Sequence, residues 1–100
     1  MLTPSDILST LQNSKPHLQQ RFGIARIGVY GSYVNGTAHD ESDVDIVFDV
    51  VEGRRLKLSE YEALEEYLAM LLATLKIDLV QERYMNPVIR YTMQGSVRYV

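Results

Sequence analysis

Residues 43–50 read Asp-Val-Asp-Ile-Val-Phe-Asp-Val, an alternation that a β-strand satisfies and a helix does not. On a strand, Val44, Ile46, Phe48 and Val50 share one face, and Asp43, Asp45, Val47 and Asp49 share the other. The apolar face demands a core. A chain of 100 residues has room for one modest core, so residues 1–100 are read as a single domain.

The flanking segments supply partners for that strand. Thr3 or Ser5, with Pro4 and Asp6, marks a helix start, and Ile7, Leu8, Leu11, Leu18 and Phe22 follow at helical spacing to Gly23. Pro16 is expected to kink this helix or divide it in two. Residues 24–30 form a first strand, with Ala25, Ile27 and Val29 on one face. Residues 32–42 are a loop that begins with one helical turn. Ser59 is expected to cap a long helix to Leu75, with Glu62 completing a capping box. Its apolar stripe runs through Tyr61, Leu64, Leu68, Leu71, Leu72 and Leu75. Residues 76–81 are a third strand, Asn86-Pro87 opens a short helix, and residues 97–100 add a small edge strand. The order gives an α+β (mixed α/β) fold, with a small mixed sheet of three to four strands packed against helices. The first two strands pair antiparallel, and the third joins by a crossover through the long helix.

Composition narrows the class. There is no cysteine, so disulfides and thiolate metal sites are excluded, and a cytoplasmic location is expected. No signal peptide or bilayer-spanning run is present in the sequence given. The net charge is -3 and the basic residues are scattered, which argues against a nucleic acid as the main partner.

The polar face of the central strand carries the chemistry. Asp43 and Asp45 lie on one side of it, about 6.6 Å apart along the chain direction. Carboxylates so placed suit a pair of divalent cations roughly 3.5–4 Å apart, and magnesium takes a few carboxylates together with substrate phosphates and water. An isolated Asp-x-Asp is commonly just two solvated acids, but here it has company. Gly31-Ser32 ends the preceding strand ten residues upstream, where glycine lets backbone amides approach a phosphate and Ser32 adds a hydroxyl. Asp78 stands between Ile77 and Leu79 in the third strand, where a buried carboxylate would need a partner. Placed beside Asp43 and Asp45, it would complete a cluster that a cation relieves. Arg54-Arg55 has guanidinium forks suited to phosphate, although a solvated turn explains them as well. His17 and His39 have no ligand partner at metal spacing and are read as structural or solvent-exposed.

Gly-Ser, ten residues, Asp-x-Asp on a strand and a later strand Asp together resemble the nucleotidyltransferase superfamily that includes DNA polymerase beta. The single-domain length is similar to its minimal nucleotidyltransferase (MNT) members, and the resemblance covers nearly the whole chain. It implies that Gly31 and Ser32 hold the triphosphate of ATP. It also implies that Asp43, Asp45 and Asp78 bind two Mg2+ ions, with Asp78 helping to activate the acceptor hydroxyl. Larger members carry an acceptor-binding domain that this chain has no room for, so the acceptor is expected to be a protein. The resemblance names one: a HEPN ribonuclease toxin, whose tyrosine receives AMP from the MNT antitoxin. Two other readings stay open. One is an antitoxin that neutralises its partner by contact alone. The other is a nucleotidyltransferase acting on a small molecule or RNA. The oligomeric state, homodimer or complex with the toxin, is not set by the sequence.

Overall fold

A computed structural model describes residues 3–37, 42–93 and 95–100. Helix α1 (Pro4–Phe22) starts where expected: Thr3 caps it through its hydroxyl, which accepts from the Asp6 amide at 3.1 Å, and Asp6 accepts from the Thr3 amide in return. The helix runs unbroken through Pro16 rather than dividing there. Pro16 lies on the exposed side, where the carbonyl that loses its amide partner can be hydrated.

Strand β1 (Ile24–Tyr30) pairs antiparallel with β2 (Val44–Val50). β2 pairs parallel with β3 (Ile77–Gln81), and β4 (Arg98–Tyr99) lies antiparallel on the far side of β1. The mixed sheet has the order β3-β2-β1-β4. Between β1 and β2 lies the single helical turn α2 (Ser32–Asn35), and α3 (Leu58–Leu72) makes the crossover from β2 to β3. A 3₁₀ turn (Glu82–Tyr84) then leads to α4 (Pro87–Met93), whose second amide is capped by the Asn86 side chain at 2.9 Å.

Three local expectations are corrected. Ala25 is exposed, and Ile24 takes its place beside Ile27 and Val29 in the core. A register irregularity between Ile24 and Arg26 causes this, since one extra residue reverses the alternation. Helix α3 starts earlier than Ser59: Lys57 is the N-cap, and its amide donates to Glu60 Oε1 at 3.1 Å. Glu60, not Glu62, therefore closes the first turn. Leu75 lies beyond the helix and is 95% exposed, because Ala73 adopts a left-handed conformation that ends it.

The sheet has two differently built faces. One carries Val44, Ile46, Phe48 and Val50 against α1 and the Leu64, Leu68 and Leu72 stripe of α3. The other carries a smaller cluster, in which Val47 packs with Met85 and Met93, flanked by Tyr30, Val80 and Val97. That second face also carries the aspartates. The alternation of β2 thus divides a large core from a small one and leaves a polar margin beside the latter.

Candidate active site

Strand register sets the site. In the parallel β2–β3 ladder Asp45 stands directly opposite Asp78, and in the antiparallel β1–β2 ladder it stands opposite Tyr30. Tyr30, Asp45 and Asp78 therefore form one row across three strands, on the face away from the main core. Asp43 precedes β2 by one residue and is exposed. Asp78 is exposed too, at the edge strand of the sheet. Burial cost therefore does not account for it. Its register opposite Asp45 is what brings it to the site.

The carboxylates bear on one another. Burial first, then the charges of Asp78 and Asp43, push the Asp45 carboxyl up from 3.8 to about 6. Burial, with Asp45 and Asp78 as further causes, pushes the Tyr30 phenol up from 10.0 to about 12. All three causes act on Asp45 in the same direction. Asp49, on the same face of β2, is different. Its Oδ1 accepts from Gln81 Nε2 at 3.1 Å, from Arg83 Nε at 3.0 Å and from the Val50 amide at 2.9 Å. Asp49 is occupied in holding the chain after β3 to β2. Asp45 is left exposed to like charge.

The turn before α2 is fitted to this carboxylate. Gly31 has φ 77° and ψ -146°, a conformation that L side chains rarely adopt. A Cβ built there would lie well inside van der Waals distance of Asp45 Oδ2. The turn therefore passes across the carboxylate with no side chain between them. The Gly31 carbonyl accepts the Val34 and Asn35 amides at 3.0 and 2.9 Å, which fixes the start of α2 and Ser32 with it.

Among the described residues, no three His, Asp or Glu side chains gather closely enough to cage a metal by themselves. The donor set is that of an open site: hard carboxylate oxygens in repulsion, with a bare glycine turn alongside. Such a set fits magnesium, which keeps waters and takes its remaining ligands from substrate phosphates.

The other polar residues singled out in the sequence lie elsewhere. Arg54 pairs with Glu60 at 2.8 Å and lies over Gly23, so it braces the start of α3. Arg55 is exposed. His17 stacks on Tyr67, centroids 4.9 Å apart, on the helical side of the molecule. His39 lies outside the described residues. A cleft of about 480 Å³ between the end of α3 and β3, lined by Glu65, Met70 and Leu75, shares no residue with the aspartate row. Tyr30 closes the first strand with no mark in the sequence of a place at this site; only the strand register sets it opposite Asp45.

Known proteins share this chain's sequence profile and fold. Residues 11–100 match the sequence profile of the nucleotidyltransferase domain. The chain is 44% identical over 100 residues to protein adenylyltransferase MntA of Thermococcus cleftensis, covering 100% of this chain and 98% of that protein. A solved structure described as a candidate minimal nucleotidyltransferase superposes with a TM-score of 0.78 at 25% identity, covering 97% of this chain and 95% of the other. A chain of a toxin-antitoxin complex solved with AMP-PNP superposes with a TM-score of 0.68 at 26% identity, covering 98% and 72%. With a shared profile, near-complete coverage and the same fold, the chain belongs to the nucleotidyltransferase family, among its minimal members.

Proposed function

We propose that this protein is an adenylyltransferase that moves AMP from ATP to a tyrosine hydroxyl of a HEPN-type toxin, and so acts as its antitoxin in the cytoplasm. The observation that carries the reading is the Asp45–Asp78 register beside the Gly31 turn. The 44% identical relative bears the name of a protein adenylyltransferase, and the toxin-antitoxin complex with AMP-PNP supports both a triphosphate and a toxin.

Gly31 and Ser32 hold the triphosphate, with backbone amides and a hydroxyl directed at its oxygens. Asp43, Asp45 and Asp78 would hold two Mg2+ ions together with the phosphates. When bound, magnesium would neutralise charge on the triphosphate and the departing pyrophosphate. Asp78, exposed at the sheet edge, meets the incoming acceptor and takes up the proton of its hydroxyl. The tyrosine oxygen bonds to the α-phosphorus as the bond from that phosphorus to the bridging oxygen breaks. Pyrophosphate leaves, and AMP stays on the toxin. Positioning and charge, rather than covalent help from the enzyme, lower the barrier. An added phosphodiester carries negative charge and bulk, which would exclude RNA from a ribonuclease site.

The test is intact-mass spectrometry of the toxin after incubation with this protein, ATP and magnesium. A gain of one or more AMP masses is expected, lost in the Asp43→Asn/Asp45→Asn double variant. An unmodified toxin that is nonetheless bound and inhibited would replace the enzymatic reading with neutralisation by contact. Label from ATP appearing in RNA or an aminoglycoside, with no toxin present, would move the acceptor to a different class.

A further inference from the structure

β3 carries the candidate active site on one face and a separate cleft on the other. Among the described residues it ends the sheet, with β2 on its inner side. Asp78 stands opposite Asp45 on the aspartate face, while Leu79 lies in the main core and Ile77 packs against it. On the core side, a cleft of about 480 Å³ opens where α3 ends and β3 begins. Ala69, Met70, Ala73, Leu75 and Ile77 give it an apolar wall, and Glu65 and Glu66 give it an acidic rim. Met70, Leu75 and both glutamates stand in solvent. Burial first, then the charges of Glu65 and Asp78, raise the Tyr61 phenol, so the rim and the aspartate row both bear on this one side chain at the strand.

The backbone beside the cleft is directed outward. The Val44 amide donates to the Lys76 carbonyl at 2.7 Å, and Val44 pairs with Ile77 in the parallel ladder. In that pattern the Lys76 carbonyl and the Asp78 amide turn toward β2, and the amide and carbonyl of Ile77 turn away from it. Two residues on, the outward carbonyl of Leu79 accepts from the Tyr61 hydroxyl, so α3 closes the edge there. The stretch that a further strand can reach is the one at Ile77, next to the cleft. A chain laid antiparallel along Ile77 and Asp78 obeys the same alternation. Its residue opposite Asp78 turns toward the aspartate row, and the neighbouring residue, opposite Ile77, turns toward the cleft. An apolar wall ending in two carboxylates matches a long basic side chain, whose methylenes lie along the wall while its cationic head meets the rim. We propose that the acceptor protein docks as an extended segment on the β3 edge, with its tyrosine opposite Asp78 and, beside the tyrosine, a lysine or arginine in the cleft. The proposal rests on the adenylyltransferase reading above and adds the local sequence that the acceptor must carry. A second copy of this chain is a poor occupant, since its β3 would set the same glutamates and Asp78 against this edge.

The test uses a pair of short synthetic peptides that share a single tyrosine and differ only in the residue after it, arginine in one and glutamate in the other. Initial rates of AMP transfer from ATP are read by mass, for wild type and for the Glu65→Lys/Glu66→Lys variant, whose two sites are exposed on α3. Wild type is expected to favour the arginine peptide by at least about tenfold in kcat/KM, with the difference in KM. The variant is expected to lose or invert that preference and to keep its Kd for Mg-ATP within about twofold of wild type. Equal use of the two peptides by wild type would overturn the proposal and needs no variant to be seen. An unchanged preference in a folded variant would overturn it too. So would modification of the toxin with neither peptide accepted, since the acceptor would then be read as a folded surface. Weakened Mg-ATP binding in the variant would give the cleft to the nucleotide and sink the proposal as well. If wild type modifies neither the toxin nor a peptide, the adenylyltransferase reading itself fails, an outcome distinct from the others.

Discussion

Asp45 is held where its charge is least welcome. Its folded-state pKa, about 6, lies above the ordinary 3.8, so the folded protein binds a proton more tightly there than the unfolded chain does. The contribution to stability is therefore unfavourable above the folded pKa. It shrinks as pH falls through about 6 and is gone below the ordinary value. Asp45→Asn is expected to abolish AMP transfer yet to be more stable than wild type at pH 7 without magnesium, by about 1 kcal/mol after allowance for partial exposure. Thermal melts of both proteins from about pH 4 to 7 check this, and a gap that does not close toward low pH would refute the account. Gly31 gives a second expectation at this scale. Gly31→Ala meets both a left-handed backbone and Asp45, and should cost about 1–3 kcal/mol and at least about tenfold in AMP transfer, read by urea titration and toxin labelling.

At the scale of elements, the 3₁₀ turn after β3 is tied in by the one described polar residue that is buried, Glu82, 3% exposed. Arg26 pairs with it from β1, and the Tyr99 hydroxyl of β4 donates to it at 2.8 Å. Glu82→Gln should cost about 1–3 kcal/mol and loosen β4, seen as faster amide exchange at Tyr99 and Val100. None of this network is visible in the sequence, because Glu82 looks like any surface acid until three distant segments meet around it. β2, by contrast, is readable outright: its period of two separates the core residues from the aspartates with no tertiary information. Asp78 is intermediate. Its place in a strand is legible, but its exposure is not, nor is its register opposite Asp45. The misplaced cap of α3 and the bulge at Ala25 share one cause: each is settled by a single backbone geometry that leaves no mark in hydrophobic periodicity.

For the whole molecule, the two apolar clusters lie on opposite faces of the same central strand. Neither can dissolve without exposing β2, so unfolding is expected to be a single cooperative event. With no tryptophan and seven tyrosines, far-UV dichroism and tyrosine fluorescence report different parts of the chain. Their urea midpoints should coincide, and separate midpoints would show that the α4 side melts on its own. Among the described residues no helix is long and apolar enough to cross a membrane. The opposed pair of carboxylates has a kinetic corollary. Asp45 and Asp78 come from strands joined only by the α3 crossover, a non-local contact whose loop must close before it forms. A chain that has made only its β1–β2 hairpin owns the Gly-Ser turn and the Asp-x-Asp motif but not the completed row. On the proposed reading, chemical competence is therefore expected only once β3 has docked beside β2, and a half-made chain would transfer no AMP.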